Sequence, residues 1–424
     1  MSDQPGLERR LGGLDAVVIG LGSMIGAGVF SAFAPAAAAA GSALLVGLVV
    51  AAFVAYCNAL ASAQLAAQYP TSGGTYVYGR ERLGEWWGFV AGWGFVVGKT
   101  ASCAAMALTF AAYAVPGAEW RERLVAAGAA VVLTAVNLHG ITRTAALTRI
   151  LVAGSLVALA VVVLTVSVSG RAETSRVTEG GVPDGAYGIL QAAGLLFFAF
   201  AGYARIATLG EEVRDPQRTI PRAISIALGI TVIVYVAVAL ATLGALGPEA
   251  LAVSTAPLAA AVEAVGAAWA EPIVRIGAAF ASAGALLALV AGVGRTTLAM
   301  ARKVDLPRTF AAVDRRYSIP RHAELAVGAI VVALVLLTDL RGAIGFSSFG
   351  VLMYYAIANA AAFTQVAPAR RTPRALNVVG LAGCLTLTVT LPVESVLVGA
   401  GVLAVGLAGR VVVVRRRGTA VPAD

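Results

Sequence analysis

The sequence predicts an all-α membrane protein of about twelve transmembrane helices. Of its 424 residues, 59% are hydrophobic and only 12% are charged, and the mean hydropathy is +0.86. This composition is unlike that of a soluble globular protein. The apolar residues also fall into runs of about twenty, the length at which a helix crosses the hydrocarbon core of a bilayer. The predicted spans are residues 14–40, 42–67, 86–115, 123–138, 145–169, 187–210, 222–246, 272–301, 323–338, 342–366, 375–391 and 393–413.

The charges in the loops predict the orientation of these spans. If the amino terminus is inside, the inner segments hold 22 lysines and arginines and the outer segments hold 6. The positive-inside rule then places both termini in the cytoplasm. We expect a multi-pass protein of the cell membrane, with the lipid bilayer as a partner. The formal charge of +9 is divided between loops, so we expect no nucleic acid partner.

The sequence contains no pattern typical of a catalytic or metal site. Cys57, Cys103 and Cys384 lie inside apolar runs, and neither His139 nor His322 belongs to a metal-ligand pattern. The dense charged segment at residues 211–222 has no His, Cys or Ser beside its acids. We therefore expect no metal, no cofactor and no enzymatic activity.

The first organising element is the glycine-rich centre of the first span. Residues 20–30 read Gly-Leu-Gly-Ser-Met-Ile-Gly-Ala-Gly-Val-Phe, and glycine weakens the interior of a helix. An interrupted helix is tolerated in hydrocarbon only where its freed backbone groups face protein, water or a ligand. The amides of Gly26, Ala27 and Gly28 would then begin a second half-helix and attract a carboxylate. Close packing of unbroken helices through Gly22 and Gly26 explains the same residues equally well.

The second organising element lies five spans later. Residues 195–205 form an aromatic-rich run that reaches Gly202 and then Arg205. Alone, this run is better explained as an ordinary helix with one glycine. Paired with the first element, it gives the pattern of an inverted repeat that binds a solute at the membrane midplane. We predict one domain over 1–424, with repeats at 1–169 and 187–366 and two added helices at 375–413.

Four short motifs occur in order along the chain. They are residues 22–30, residues 70–78 continuing to 88–93, residues 211–221, and residues 295–307. Each is weak alone, but together they make the chain resemble the amino acid–polyamine–organocation superfamily of transporters over essentially its whole length. The resemblance implies a five-plus-five inverted repeat of the LeuT-like kind, with discontinuous helices 1 and 6 and two extra C-terminal helices. It also implies transport of amino acids or related amines by alternating access.

The resemblance further implies where an amino acid would bind. The backbone of the first interruption would receive the carboxylate of the solute, and carbonyls of the second would receive its amino group. Aromatic side chains would gate the pocket, and spans three and ten would line it. The implied carboxylate site is Met24, Ile25, Gly26, Ala27 and Gly28, the amino-group site is Phe198, Ala199, Phe200, Ala201 and Gly202, and the lining residues are Ser102, Cys103, Met106, Ser347 and Ser348.

Two basic residues are candidates for coupling or gating. Several family members carry a lysine in span five, where our register places Ser155. Lys99 instead lies about mid-way along span three, where a charge is costly. Lys99 either couples protons or neutralises a solute group, or it reaches the interface or bonds backbone carbonyls. Arg205 either forms a gate or ion pair, for example with Glu212, or remains solvated in the inner vestibule.

The predicted class of solute follows from the absence of acidic residues in the middle of the predicted spans. Recognition of arginine, lysine or a polyamine usually requires a carboxylate or an aromatic cage, and no Asp or Glu falls at mid-depth in a predicted span. We therefore expect uptake or exchange of small or neutral amino acids, coupled to protons or another ion. Because Lys99 and Arg205 are basic, acidic amino acids are an alternative class of solute, and other amines are a further one. A non-transporting amino acid sensor of the same fold is the alternative function. The oligomeric state is not defined by the sequence.

Overall fold

The computed structural model describes residues 11–70, 73–139, 145–179, 181–207, 213–314, 317 and 319–418. Every regular element in these ranges is helical, apart from one isolated bridge between Leu11 and Val213. Helices suit this apolar chain because they satisfy their own backbone hydrogen bonds in lipid. The α-helices are α1 (Gly13–Met24), α2 (Ala27–Ser31), α3 (Phe33–Ala40), α4 (Leu44–Gln68), α5 (Thr75–Leu83), α6 (Glu85–Ala114), α7 (Glu119–Leu138), α8 (Ala145–Val168), α9 (Thr174–Thr178), α10 (Gly185–Phe200), α11 (Ala204–Ala207), α12 (Pro216–Val253), α13 (Pro257–Ala264), α14 (Glu271–Arg302), α15 (Arg321–Leu337), α16 (Leu340–Phe363), α17 (Arg374–Thr390) and α18 (Val393–Gly418).

The described ranges contain nine helical stretches that are long and apolar enough to cross a membrane. The remaining predicted spans are helical too, as α7, α15 and α17, but these helices are shorter or more charged. The second predicted span joins α3 in one apolar stretch, Phe33–Gln68. The all-helical membrane architecture is therefore confirmed. The count of twelve spans and the division into two repeats stay predictions.

Long helices surround the two segments that the sequence analysis singled out. α6 packs against α14 and α16, α10 packs against α4 and α3, and α1 packs against α12 and α8. The short helix α2 contacts α6, α10 and α14. Buried apolar side chains from these helices form one main cluster. The segments around residues 25 and 201 therefore lie inside the helix bundle.

The charged loop predicted before the seventh span is shorter than expected. α12 begins with Pro216 at its first position, where the missing N–H of proline is not needed, and it continues through Pro221. Pro221 cannot donate to the carbonyl of Gln217, four residues earlier. The Arg371 guanidinium donates to that oxygen instead, at 2.9 Å. The seventh span, predicted to begin at residue 222, therefore begins at Pro216 instead.

A buried ion-pair network joins α5, α18 and the loop after α14. Oδ2 of Asp305 accepts from the Tyr76 hydroxyl at 2.8 Å and from Arg80 at 2.9 Å, and Oδ1 accepts from Arg410. The side chains of Asp305 and Arg410 are each 3% exposed. Burial and the neighbouring carboxylate raise the pKa of Tyr76, so its hydroxyl remains a donor. The network ties the last helix to the predicted inner side of the bundle.

Candidate functional site

The first interruption separates α1 from α2 over two residues. Ile25 has φ −82° and ψ 57°, and Gly26 has φ −105° and ψ −141°. Helix resumes at Ala27 and runs on from α2 into α3, because Ala32 between them keeps helical angles and its carbonyl accepts from Ala36 at 3.2 Å. The first amides of this second half have no helical acceptor. The positive end of its dipole therefore lies at the interruption.

The second interruption follows the end of α10 at Phe200. Residues 201–203 form a single 3₁₀ turn, and α11 begins at Ala204. The last carbonyls of α10 carry the negative end of its helix dipole. The two interruptions therefore present opposite dipole ends to the same region of the bundle.

Glycine residues bring the two interruptions into backbone contact. A Cβ atom placed on Gly202 would lie 2.2 Å from the carbonyl oxygen of Ser23 and 2.6 Å from the amide nitrogen of Met24. A Cβ atom on Gly28 would lie 2.6 Å from the Cα atom of Ala199. All three distances are shorter than van der Waals contact. Only glycine therefore allows this approach at either position.

Tyr235, on α12, links the two interruptions through one hydroxyl group. Its oxygen lies 2.6 Å from the carbonyl oxygen of Met24 and 2.9 Å from that of Ala199. A hydroxyl has a single hydrogen, so it donates to one carbonyl at a time or shares its bond between them. The Tyr235 ring packs against Phe33 and Phe200. The sequence analysis missed this residue, although a tyrosine in the middle of an apolar span needs a partner for its hydroxyl.

Lys99 lies in the middle of α6 and is 7% exposed. Its Nζ donates to the carbonyl oxygen of Ala201 at 3.2 Å, and the Tyr355 hydroxyl donates to the same oxygen at 3.3 Å. The sequence left several roles open for Lys99, and one of them was a hydrogen bond to a backbone carbonyl. The structure contains such a bond. The acceptor belongs to the predicted amino-group site.

The predicted lining residues lie on two helices that pack together. The hydroxyl oxygens of Ser102 on α6 and Ser347 on α16 are 2.6 Å apart, and both residues are buried. Cys103 and Met106 are buried on the same helix as Ser102. Ser348 is also buried, and its hydroxyl has no hydrogen-bond partner among the described residues. The pair of hydroxyl groups therefore joins α6 to α16 in the interior.

The structure gathers the predicted site residues in the interior, where most are closed off from the surface. Arg205 lies on α11, and the partner considered for it, Glu212, lies outside the described residues. Solute contact at these residues stays a prediction. The buried residues are Met24, Ile25, Gly26, Ala27, Gly28, Phe198, Ala199, Phe200 and Ala201, whereas Gly202 and Arg205 are partly exposed.

Comparison with known proteins identifies the family. A family model described as amino acid permease matches residues 11–406. The chain belongs to the amino acid permease family. It is therefore a multi-pass membrane transporter with amino acid substrates and not an enzyme, as the sequence predicted.

Three relatives show how far the similarity extends. The permease is 62% identical over 402 residues to an uncharacterized transporter of Mycobacterium tuberculosis, covering 95% of this chain and 90% of the relative. It is 26% identical over 378 residues to a branched-chain amino acid permease of Bacillus subtilis, covering 84% and 81%. It is 28% identical over 387 residues to cationic amino acid transporter 7, chloroplastic, of Arabidopsis thaliana, covering 85% and 66%. The two relatives with named solutes differ in the charge of those solutes.

A separate cleft of about 350 Å³ lies toward the predicted outer side of the permease. It is lined by Ala34 and Pro35 on α3, Arg123 on α7, and Asp339 and Arg341 at the start of α16. None of the predicted site residues lines it. Because α3 continues α2, a movement of this helix would change both the cleft and the first interruption.

Proposed function

We propose that this permease is a secondary active transporter that binds an amino acid between its two interrupted helices and moves it by alternating access. The observation that carries the proposal is the backbone contact of the two interruptions inside the bundle. Gly202 rests on Ser23 and Met24, and Gly28 rests on Ala199. Freed backbone groups are tolerated at such depth where they face protein or a ligand. An amino acid presents both an acceptor and a donor to such groups.

Electrostatics favours a zwitterion at this position. The amides of Gly26, Ala27 and Gly28 stand at the positive end of the helix formed by α2 and α3, where a carboxylate is stabilised. Carbonyls of residues 198–202 stand at the negative end of α10, where an ammonium group is stabilised. In the proposed complex the solute lies between these ends, with Ser102 and Ser347 beside its side chain.

Small or neutral amino acids are the proposed solutes. The buried acidic side chains among the described residues are Asp305 and Glu324. Asp305 follows α14 and is paired with arginines, and Glu324 is in the first turn of α15. Neither stands beside the interruptions, so a cationic side chain would lack a counter-charge there. The relatives with named solutes support amino acid transport and do not decide this choice.

Acidic amino acids are the second candidate solute. Lys99 places an ammonium group on the Ala201 carbonyl within the proposed site. A solute with an additional carboxylate would balance that buried charge.

We also propose roles in coupling and gating for two basic residues. Lys99 is the proposed group that binds and releases the coupled proton. Arg205, at the start of α11, is the proposed inner gate. We further propose that both termini are cytoplasmic in the cell membrane.

Counterflow into proteoliposomes tests the proposal. Purified permease is reconstituted with unlabelled solute inside, and uptake of labelled alanine, glutamate and arginine is followed with and without a proton gradient. Alanine exchange is expected, and protein-free liposomes give the background. Arginine as the best solute would contradict the proposed selectivity. Binding of an amino acid without exchange would instead indicate a sensor.

A further inference from the structure

Two side-chain donors already reach the Ala201 carbonyl in the closed site. The Lys99 ammonium lies 3.2 Å from this oxygen, and the Tyr355 hydroxyl lies 3.3 Å from it. A carbonyl oxygen has only two lone pairs. A further donor at this oxygen must therefore compete with these groups.

Neighbouring carbonyls of the same segment also have donors. The Ala199 oxygen accepts from Tyr235 at 2.9 Å, and the Phe198 oxygen accepts from the amide of Ala201. Neither of these donors is charged. Lys99 is thus a cationic donor to this segment. It occupies the negative end of α10, the position that favours an ammonium group.

We propose that Lys99 is a tethered substitute for the amino group of the solute. It holds the Ala201 carbonyl while the site is closed, and it leaves that oxygen when the ammonium of an amino acid arrives. The proposal rests on the function proposed above, because it assumes that this segment receives the amino group. It assigns Lys99 as a competitor of the solute and as a determinant of affinity.

Two physical features support an exchange of ammonium groups. Both groups carry the same charge and hydrogen-bond donors, so they compete for the same acceptor and repel each other when both are near it. The lysine head is carried on a flexible four-carbon stem, so it can leave Ala201 without movement of the α6 backbone. The empty carrier then keeps its buried carbonyl satisfied, since an unpaired carbonyl at this depth is costly.

The test compares an amino acid with its analogue that lacks the amino group. Alanine is paired with propionate, or glutamate with glutarate, whichever amino acid the counterflow assay shows to be exchanged. The readout is the ratio of the two equilibrium dissociation constants, analogue over amino acid. This ratio isolates the contribution of the ammonium group, as in a double-mutant cycle.

Removing the lysine should raise that ratio. In Lys99→Met the Ala201 oxygen loses its cationic donor, and we expect the ratio to increase about tenfold, equivalent to about 1.4 kcal/mol. Lys99→Gln should give an increase in the same direction and replaces Lys99→Met if that variant does not fold. Lys99→Arg keeps a cationic donor and should keep the wild-type ratio. Thr100→Val is the matched control, because Thr100 is buried on the same helix and its hydroxyl donates to Val96 within its own turn.

The possible failures are distinguishable. An unchanged or lower ratio in both uncharged variants, with amino acid exchange intact in the wild type, would overturn the role of Lys99 and leave the proposed function standing. A rise of the ratio in Thr100→Val equal to that in Lys99→Met would also overturn it. If the wild-type permease exchanges no amino acid, the proposed function fails and this inference fails with it.

Discussion

Replacing Gly202 by alanine tests the contact between the two interruptions directly. The added Cβ atom would lie 2.2 Å from the Ser23 carbonyl oxygen, 2.3 Å from its carbonyl carbon and 2.6 Å from the Met24 amide nitrogen. All three are backbone atoms, so no side chain can rotate away to make room. A carbon and a carbonyl oxygen normally lie no closer than about 3.3 Å. The 3₁₀ turn and the end of α1 would therefore have to separate by roughly 1 Å.

The cost of this separation can be bounded. Forcing additional volume into a packed interior typically costs about 1–3 kcal/mol. The same separation would pull Met24 and Ala199 apart at the Tyr235 hydroxyl. A change of about 1–3 kcal/mol corresponds to a factor of roughly 5–150 in an equilibrium. We expect Gly202→Ala to lower both the thermal stability and the amino acid exchange rate, the latter by at least about fivefold.

The assay is counterflow at equal amounts of reconstituted protein, together with thermal unfolding in detergent. Gly229→Ala is the matched control. Gly229 lies in α12, and a Cβ atom there would meet nothing within 4 Å. An alanine inside a helix is about 1 kcal/mol more favourable than glycine, so this variant should be as stable as the wild type or more so. If Gly202→Ala behaved like Gly229→Ala in both measurements, the argument for backbone contact would be wrong.

Three further contacts are tested by substitution. Tyr235→Phe removes the shared hydrogen bond and should lower stability by about 1–2 kcal/mol, measured by thermal unfolding; no change would mean that the hydroxyl links nothing. Asp305→Asn breaks a buried ion pair and should lower the free energy of unfolding by about 3–5 kcal/mol. Arg218→Gln breaks a pair in which both side chains are more than half exposed, and it should leave the free energy of unfolding nearly unchanged. Equal losses of stability in the two variants would refute this reasoning. Ser347→Ala leaves Ser102 without its partner 2.6 Å away and should weaken alanine binding by about two- to tenfold in equilibrium measurements, while an unchanged dissociation constant would remove this pair from the site.

Composition and apolar run length predicted the all-helical membrane fold well. Lipid permits few alternatives to helices, so a hydrophobic run of sufficient length already determines the local structure. The glycine-rich run around Gly26 likewise indicated a weak point in the first helix. The alternative, close packing of unbroken helices through Gly22 and Gly26, does not fit the interruption at Ile25 and Gly26. The close backbone contact of this run is made instead by Gly28, against Ala199.

Contacts between distant parts of the chain could not be predicted in the same way. Tyr235 is 211 positions from Met24, and Lys99 is 102 positions from Ala201. Nothing in the local pattern of either residue defines its acceptor, which depends on how the helices pack. The pairing of Asp305 with Arg410 is similar, since the two residues are 105 positions apart. The extension of α12 to Pro216 was missed because Arg371 supplies a donor that proline lacks.

The contact between the interruptions constrains how alternating access can proceed. Gly202 on Ser23 and Gly28 on Ala199 are backbone contacts. Separating them would also pull the carbonyls of Met24 and Ala199 away from the Tyr235 hydroxyl that they share, which is costly in a buried site. We therefore expect α1, α2 and α10 to move together, with bending confined to the non-helical residues between their segments. Lys99 belongs to α6, outside this group of helices, yet it bonds Ala201 within the group. Its ammonium therefore forms a hydrogen bond between α6 and the group of helices that would move against it. An amino acid that displaces Lys99 from Ala201 would remove one hydrogen bond holding those parts together, and so would favour the movement that carries it across the membrane.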